Sequence, residues 1–230
     1  MNIQGLQKLT LLDFPGHTAC TVFTGGCNLR CPFCHNVPLV LDPEGEVPFS
    51  DGEIFSLLEK RRGVLDGVAI TGGEPLLQKD IADFCAAVKA MGFMVKLDTN
   101  GAFPEKLGEL IENGLVDYVA MDIKNCKEKY PVTCGRERLD IAPFEKSVEL
   151  LKNGNTDFEF RTTVVKEYHT PEDVEKIGEW IKGAPRYYLQ AFKDSGILSE
   201  ESSHAVPEEE MVKMRDIASK YVKLVDLRGI

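Results

Sequence analysis

Residues 19–36 read ACTVFTGGCNLRCPFCHN, a short run of β-forming residues followed at once by a loop that holds three cysteines. The run ACTVFT has the length and the β-branched and aromatic content of a buried strand. Cys27, Cys31 and Cys34 follow in the spacing C-x3-C-x2-C, close enough for their thiolates to face one soft metal centre. The stretch therefore predicts a strand with metal ligands in the loop after it.

The same order, a β-rich run and then a helical pattern, repeats along the chain and is typical of βαβ units with a parallel sheet. The strand candidates are residues 19–24, 67–71, 93–99, 117–123, 158–165 and 186–192, with 223–227 as a candidate closing strand. Six such units fit an α/β fold with a partial (β/α)6 barrel. A full barrel has eight units and takes about 250 residues. A doubly wound open sheet is the alternative. In both folds, ligands bind at the C-terminal ends of the strands.

Length and composition limit the class of protein. The chain has 230 residues, enough for a single well-filled domain over residues 1–230. Its net charge of −10 argues against general nucleic-acid binding, because that affinity rests mainly on Lys and Arg. The N-terminal residues contain no apolar run typical of a signal peptide or membrane span, so we expect a cytoplasmic protein with no membrane partner. In that compartment, clustered cysteines favour metal or redox chemistry over disulfides.

Helix starts can be read from two patterns. Ser50 with Glu53 fits a capping box, and Thr170-Pro171 with Asp173 marks the start of another helix. Other stretches lack any pattern, and we expect them to be loops that are mobile or that face a partner. These stretches are residues 35–49, 125–142 and 193–206.

The cysteine loop is compatible with two kinds of metal centre. A four-iron cluster normally takes four cysteines, so a three-cysteine loop leaves one iron open for a substrate or cosubstrate. The alternative is a structural zinc ion completed by His35 or by a distant cysteine, since Cys3His is an accepted zinc ligand set. No C-x2-C or H-x3-H pair lies downstream of the loop. We therefore favour the cluster.

Polar motifs stand at the ends of the next three predicted strands. TGGEP (71–75) follows the second strand, LDTNG (97–101) closes the third and AMDIK (120–124) closes the fourth. Each motif alone is most often a turn, an Asx-type cap or a structural ion pair. Glycines that allow close backbone approach, with a carboxylate nearby, also suit a bound cationic group. Because ligands gather at this edge of an α/β sheet, the motifs together predict one ligand site.

The cysteine loop, with Phe33 just before its third cysteine, resembles the signature of the radical S-adenosylmethionine (SAM) superfamily. The resemblance implies a radical SAM type of barrel and a [4Fe-4S] cluster whose open iron chelates SAM. It also implies that the reduced cluster cleaves SAM to give a 5′-deoxyadenosyl radical. TGGEP is similar to the superfamily motif whose backbone binds the SAM ammonium group. The cofactor-binding residues implied are Phe33, His35, Gly72, Gly73, Glu74, Asp98, Asn100, Asp122, Lys124 and Gln190.

The strings DTNG and MDIK together resemble a narrower family, the activating enzymes of glycyl-radical enzymes. In that family the matching residues hold a monovalent cation beside the SAM carboxylate. The resemblance thus assigns Asp98, Thr99 and Asp122 to the cation and Lys124 to SAM. Hard oxygen ligands are chemically suited to a small cation.

The N-terminal stretch LLDFPGHTACTVFTGGC is also similar to these activases, although Phe14 stands where glycine is common and His17-Thr18 where Ile-Arg is common. Within the family, GLQKLTLLDFPG, MDIK and VDLRG most resemble the activators of anaerobic ribonucleoside-triphosphate reductase. The resemblance implies an anaerobic oxidoreductase that abstracts hydrogen from one glycine of a glycyl-radical enzyme, with a flavodoxin- or ferredoxin-type electron donor. Asp13 and Arg161 are predicted to face this substrate. An interior arginine also needs a carboxylate partner.

Two other functions fit part of the sequence. A small radical SAM enzyme that acts on a metabolite, similar to a 7-deazapurine synthase, would keep the cluster and SAM but would need no protein partner. A non-catalytic zinc or iron–sulfur module would need the cysteines alone. DTNG and MDIK count against the first alternative, and the motifs at the three later strand ends count against the second.

The other cysteines and histidines are interpreted as structural. Cys20 and Cys85 lie among apolar residues and are predicted to be in the core. Cys126 and Cys134 lie in an unpatterned loop and are interpreted as two reduced thiols, with a reversible disulfide as the alternative. The histidines expected on the surface or in loops are His17, His169 and His204.

Overall fold

The computed structural model describes residues 1–41, 49–194 and 203–230. Residues 42–48 and 195–202, which belong to two of the stretches predicted to be loops, lie outside the described residues. The strands are β1 (Ile3–Thr10), β2 (Ala19–Thr24), β3 (Gly67–Gly72), β4 (Met94–Thr99), β5 (Tyr118–Asp122), β6 (Asp157–Val164), β7 (Arg186–Ala191) and β8 (Leu224–Arg228). The α-helices are α1 (Val37–Leu41), α2 (Asp51–Lys60), α3 (Ile81–Ala90), α4 (Pro104–Glu112), α5 (Tyr130–Thr133), α6 (Ala142–Asn153), α7 (Pro171–Trp180) and α8 (Glu208–Ala218).

The strands of the described residues form one eight-stranded sheet in the order of the chain. β2, β3 and β4 pair in parallel, and so do β6, β7 and β8. Every predicted strand is present, with ends within one residue of the prediction, and 224–228 confirms the closing strand. β1, which pairs antiparallel with β2, is absent from the prediction. It buries only Ile3 and Thr10, so its sequence has no apolar run to reveal it.

Packing divides the chain into two compact units. The first unit comprises Met1–Asn28, Pro38–Thr99 and Phe103–Ala120, and the second comprises Leu29–Val37, Asn100–Ala102 and Met121–Ile230. The core of the first unit includes Val22, Ile54, Leu58, Ile70, Phe84 and Leu97. The core of the second includes Phe144, Val148, Phe160, Ile177, Leu189 and Met211. The expectation of a single domain over residues 1–230 stays a prediction.

Local signals set the helix ends. Ser50 and Glu53 form the predicted capping box at α2, and the helix start predicted at Thr170 is that of α7, where Thr170 and Asp173 also form a capping box. Such caps satisfy backbone N–H groups that have no partner within the helix, and each contributes about 1 kcal/mol. The stretch 125–142, predicted to be irregular, contains a 3-10 turn and the short helix α5. Among the described residues, no helix is long and apolar enough to cross a membrane.

Candidate active site

In the first unit, the ends of β2 and β3 lie side by side with no side chain between them. The N–H groups of Gly73 and Glu74 donate to the carbonyl oxygens of Thr24 and Gly26, in each case at 2.8 Å. A β-carbon on Gly73 would lie 1.9 Å from the Gly26 oxygen. One on Gly72, whose φ is +113°, would lie 2.4 Å from the Thr24 nitrogen. Both glycines are required because one backbone packs directly on the other.

The Glu74 carboxylate is completely buried in the same unit. Its Oε1 accepts hydrogen bonds from the Thr99 hydroxyl at 2.8 Å and from the Leu76 N–H at 3.1 Å. A buried carboxylate needs such donors because the loss of its hydration is costly. The bond from Thr99 joins the end of β4 to the residue that follows β3. Two residues predicted separately as ligand contacts are thus brought together.

β4 carries a buried lysine that the sequence motifs do not predict as a site residue. Lys96 is 1% exposed, and its Nζ forms an ion pair with Asp98. The two residues are two positions apart on a strand, so their side chains point to the same face. Lysine is almost never fully buried unless it is paired, so a lysine between the apolar Val95 and Leu97 was the available signal. Asp98, predicted to bind SAM and a cation, therefore already carries a protein cation.

Two other predicted residues of the first unit lie near β1 and β2. Asp13 accepts a hydrogen bond from the Thr21 hydroxyl at 2.5 Å and is half-buried. Cys27 is also half-buried, and its thiol lies 3.9 Å from Oδ1 of Asn28. Because Cys27 directly follows Gly26, its backbone continues from the close contact between the ends of β2 and β3.

In the second unit, the core holds the rest of the cysteine loop in place. The Cys34 N–H donates to the Cys31 carbonyl at 3.1 Å, which closes a turn. Phe33, 4% exposed, packs against Val165 and Phe192, with Cys31 at the edge of this cluster. Phe33, predicted to contact the cofactor, thus anchors the loop by burying its ring against Val165 and Phe192.

The segment after α5 packs against this loop. The Arg30 N–H donates to the Cys134 carbonyl at 3.0 Å, and a β-carbon on Gly135 would lie 2.0 Å from the Arg30 oxygen. The Cys134 thiol also forms a hydrogen bond with Cys31. This hydrogen bond, helped by the charge of Lys124 and opposed by burial, lowers the pKa of Cys31 to about 7. A thiolate is the form that binds metals.

The seven cysteines all lie in the described residues, and none is in a disulfide. Cys20 and Cys85 are fully buried, which confirms both as core residues, and this burial raises the pKa of Cys20 to about 11 and that of Cys85 to about 12. Burial also raises the pKa of Cys34. The Cys126 thiol lies 3.5 Å from Asp173, so it makes a different contact from Cys134. In the described ranges, no three His, Cys, Asp or Glu side chains are already grouped as they would be around a metal ion.

Asp122, at the end of β5, lies between two cations of the second unit. Its Oδ2 accepts from Nζ of Lys124 at 2.9 Å, and its Oδ1 accepts from Nε of Arg161 at 3.0 Å. Burial alone would raise the pKa of Asp122, but the two cations lower it to about 2. Burial would lower the pKa of Lys124, but Asp122 raises it well above its ordinary value. Arg161 thus has the carboxylate partner expected for an interior arginine, and the trio carries a net positive charge.

His169 lies in the loop between β6 and α7, as predicted, but its side chain is buried and not on the surface. It is 2% exposed, with Nε2 at 2.8 Å from the Lys124 carbonyl oxygen and Nδ1 at 3.1 Å from the Val165 nitrogen. The turn before α7 places this ring so that it hydrogen-bonds to the backbone of Val165 and to that of Lys124. Burial lowers the pKa of His169, which favours the neutral ring. The ring fixes the backbone that carries Lys124.

The remaining predicted residues of the second unit lie apart along the chain. His35 lies with Nε2 at 2.8 Å from the carbonyl oxygen of Lys193. Asn100 accepts a hydrogen bond from the Ala102 N–H at 2.9 Å and so closes an Asx-type turn. Gln190 lies in β7, paired with β6 on one side and β8 on the other. These contacts show where His35, Asn100 and Gln190 lie in the structure. The roles of the three residues toward a ligand stay predictions.

Comparison with known proteins identifies the family. Residues 21–181 match the family model of the Radical SAM superfamily. The chain is 36% identical over 234 residues to a protein of Methanocaldococcus jannaschii that bears the name glycyl-radical enzyme activating enzyme, covering 99% of this chain and 96% of that one. It is 28% identical over 237 residues to the pyruvate formate-lyase-activating enzyme of Listeria monocytogenes, covering 92% and 93%. Among solved structures, Streptococcus suis SuiB bound to precursor peptide SuiA is similar with a TM-score of 0.71 at 12% identity, covering 91% of this chain and 48% of that one.

The chain is therefore a member of the radical SAM superfamily, with an α/β fold of the partial-barrel type found in these enzymes. Within the superfamily, it belongs with the activating enzymes of glycyl-radical enzymes. Membership implies a [4Fe-4S] cluster and SAM as cofactors, which confirms the prediction made from the cysteine loop. The iron–sulfur interpretation of that loop is accordingly favoured over zinc.

Proposed function

We propose that this protein generates a glycyl radical on a partner enzyme and that the partner is an anaerobic ribonucleoside-triphosphate reductase. The first part rests on the 36% identity with the Methanocaldococcus jannaschii protein, which extends over 99% of this chain. The choice of partner rests on GLQKLTLLDFPG, MDIK and VDLRG, the strings that resemble activators of that reductase. A flavodoxin- or ferredoxin-type protein would supply the electron.

We assign the cluster to Cys27, Cys31 and Cys34. The donor set fits, because it consists of thiols on one loop that are not in disulfides, and thiolates are the usual ligands of iron–sulfur clusters. The lowered pKa of Cys31, to which the Cys134 hydrogen bond and the charge of Lys124 contribute, favours the ligating form. When bound, the cluster and SAM supply an electron and a carbon-centred radical able to take a hydrogen atom from the substrate.

The chain offers complementary groups for the two charged ends of the SAM methionine moiety. The backbone at Gly72 and Gly73, followed by Glu74, suits an ammonium group, because carbonyl oxygens and a carboxylate attract it. The trio around Asp122 carries a net positive charge and suits a carboxylate, with Lys124 as its contact. The further contacts that we assign to the cofactor are Phe33, His35, Asp98, Asn100 and Gln190. The residues that we assign to the protein substrate are Asp13 and Arg161.

The test uses the protein reconstituted with iron and sulfide under anoxic conditions. It is mixed with SAM, reduced flavodoxin and either an anaerobic ribonucleoside-triphosphate reductase or a pyruvate formate-lyase. We expect a glycyl-radical doublet in the electron paramagnetic resonance spectrum of the reductase. Cys31→Ala should abolish the doublet, and the matched control Cys85→Ala, a core cysteine, should retain it.

The outcomes separate the proposal from its rivals. SAM cleavage without a doublet in either partner would exclude an activase of these enzymes. A doublet in pyruvate formate-lyase alone would support the activase and overturn the choice of partner. Conversion of a small molecule in the absence of both partners would favour the metabolite enzyme instead.

A further inference from the structure

The predicted monovalent cation site does not fit the side chains found at its ligands. The predicted ligands are Asp98, Thr99 and Asp122. Each carboxylate already has a protein cation of its own unit: Lys96 contacts Asp98, and Lys124 with Arg161 contacts Asp122. The hydroxyl of Thr99 donates a hydrogen bond to Glu74. The positive charge that a free ion would bring is thus already supplied by lysine and arginine side chains of the protein.

The pair on β4 is the more informative of the two because it is buried. The Lys96 side chain is 2% exposed and that of Asp98 is 15% exposed. Two like charges repel strongly where water is largely excluded, so a metal cation bound to Asp98 would have to displace the ammonium group. The lysine cannot withdraw easily, because its stem is enclosed on a strand whose neighbours Val95 and Leu97 are fully buried.

We propose that the ammonium group of Lys96 takes the place of a monovalent metal cation at Asp98, so that SAM binding by this protein needs no added Na⁺ or K⁺. The inference rests on the proposed assignment of SAM to these strand ends. An ammonium ion carries the same single charge as K⁺. A tethered ammonium also has no dissociation equilibrium, so the site keeps its charge at any salt concentration.

A purely structural ion pair is the competing explanation, and it makes a different prediction. If Lys96 only stabilised the fold, its removal would lower stability without creating any response to K⁺. If it replaces a cation, its removal should take the ammonium charge away from Asp98 and open a site that a metal cation can fill.

The experiment measures SAM binding to the reconstituted holoprotein by titration calorimetry, in a buffer whose only cation is tetramethylammonium, with and without K⁺. Equilibrium dialysis with Rb⁺ gives a second readout independent of activity. For the wild type, we expect K⁺ to change the SAM affinity by less than about twofold and Rb⁺ to stay unbound. For Lys96→Met, the affinity should fall about tenfold without K⁺ and recover with it, with one Rb⁺ bound per chain in the presence of SAM.

Lys89→Met is the matched control, because Lys89 is also paired with an aspartate, Asp117, in the same unit. It should leave SAM binding and Rb⁺ binding as in the wild type. A wild type that binds SAM more tightly with K⁺ would overturn the proposal, and so would a folded Lys96→Met protein with no response to K⁺. If that variant does not fold, the wild-type titration alone decides. These binding measurements contain no glycyl-radical partner. A failure to activate a partner enzyme is therefore distinguishable from a failure of this proposal.

Discussion

Replacing Asp122 with asparagine should remove the charge that holds two cations together in the second unit. The carboxylate accepts from Lys124 at 2.9 Å and from Arg161 at 3.0 Å. Their side chains are only 20% and 13% exposed, so water can replace the lost carboxylate only in part. Asparagine keeps the size of the side chain and one acceptor oxygen, so the substitution changes mainly the charge.

The size of the effect follows from the pKa of this carboxyl group. Pairing lowers the pKa of Asp122 from 3.8 to about 2. The ionised group therefore contributes about 2 kcal/mol to the free energy of unfolding at neutral pH. Leaving Lys124 and Arg161 without their counter-charge raises the expected loss for Asp122→Asn to about 3–4 kcal/mol. Because the folded-state pKa is the lower one, this contribution is complete above about pH 4 and is lost as the pH falls toward 2.

Urea unfolding of the cluster-free protein, followed by the fluorescence of Trp180, can measure this loss. Trp180 is the single tryptophan of the chain, and it lies in the same unit as Asp122. The matched control is Glu149→Gln, which breaks an exposed pair with Lys152 and should cost less than about 0.5 kcal/mol. In the Asp122→Asn background, Arg161→Gln should recover about 1 kcal/mol, because it removes one of the two cations that the Asp122 carboxylate had neutralised.

Two results would refute this reasoning. One is a loss below about 1 kcal/mol for Asp122→Asn at pH 7, since breaking a partly buried ion trio should cost more. The other is a difference from the wild type that stays constant between pH 7 and pH 2. In that case, ionisation of Asp122 would not be linked to folding.

Three further predictions concern other parts of the chain. Gly73→Ala should destabilise the protein by about 3 kcal/mol or more in urea, because the new methyl group meets the Gly26 backbone at 1.9 Å; Gly52→Ala, whose nearest neighbour would be 3.9 Å away, should not destabilise it. Ser50→Ala should cost about 1 kcal/mol in the same assay, since it removes the cap of α2, and an unchanged urea midpoint would contradict that role. In the cluster-free protein at pH 7, iodoacetamide should modify Cys31 faster than Cys34, whose pKa is raised by burial. If mass spectrometry found equal rates for the two thiols, the lowered pKa of Cys31 would be contradicted.

The sheet could be predicted from the sequence because local residue patterns identify its strands. Buried parallel strands read as short apolar runs, and three of them here end in glycine or in a polar residue, at Gly72, Thr99 and Asp122. The capping boxes that start α2 and α7 depend only on residues three positions apart, so they too were readable. The same local signals placed the candidate ligands at the ends of strands.

The features that the sequence did not reveal depend on contacts between distant residues. The hydrogen bond between Cys31 and Cys134, and the bond from His169 to the Lys124 carbonyl, join segments that no periodicity connects. β1 was missed for a different reason, because as an edge strand it buries too little to show an apolar pattern. Lys96 lies between these cases, since its strand was predicted but its burial was not.

The contact between Gly73 and Gly26 determines how steadily the first cysteine of the loop is held. Side chains hop between rotamers, whereas peptide groups joined across a parallel sheet move little relative to one another. The residue just before Cys27 takes its position from such a backbone contact, with hydrogen bonds of 2.8 Å and no side chain between the two segments. Fluctuations of the surrounding side chains therefore do not propagate readily to this thiol. Inserting or deleting one residue between Thr24 and Cys27 should displace the sulfur by a full peptide unit, so the length of this segment is as constrained as its composition.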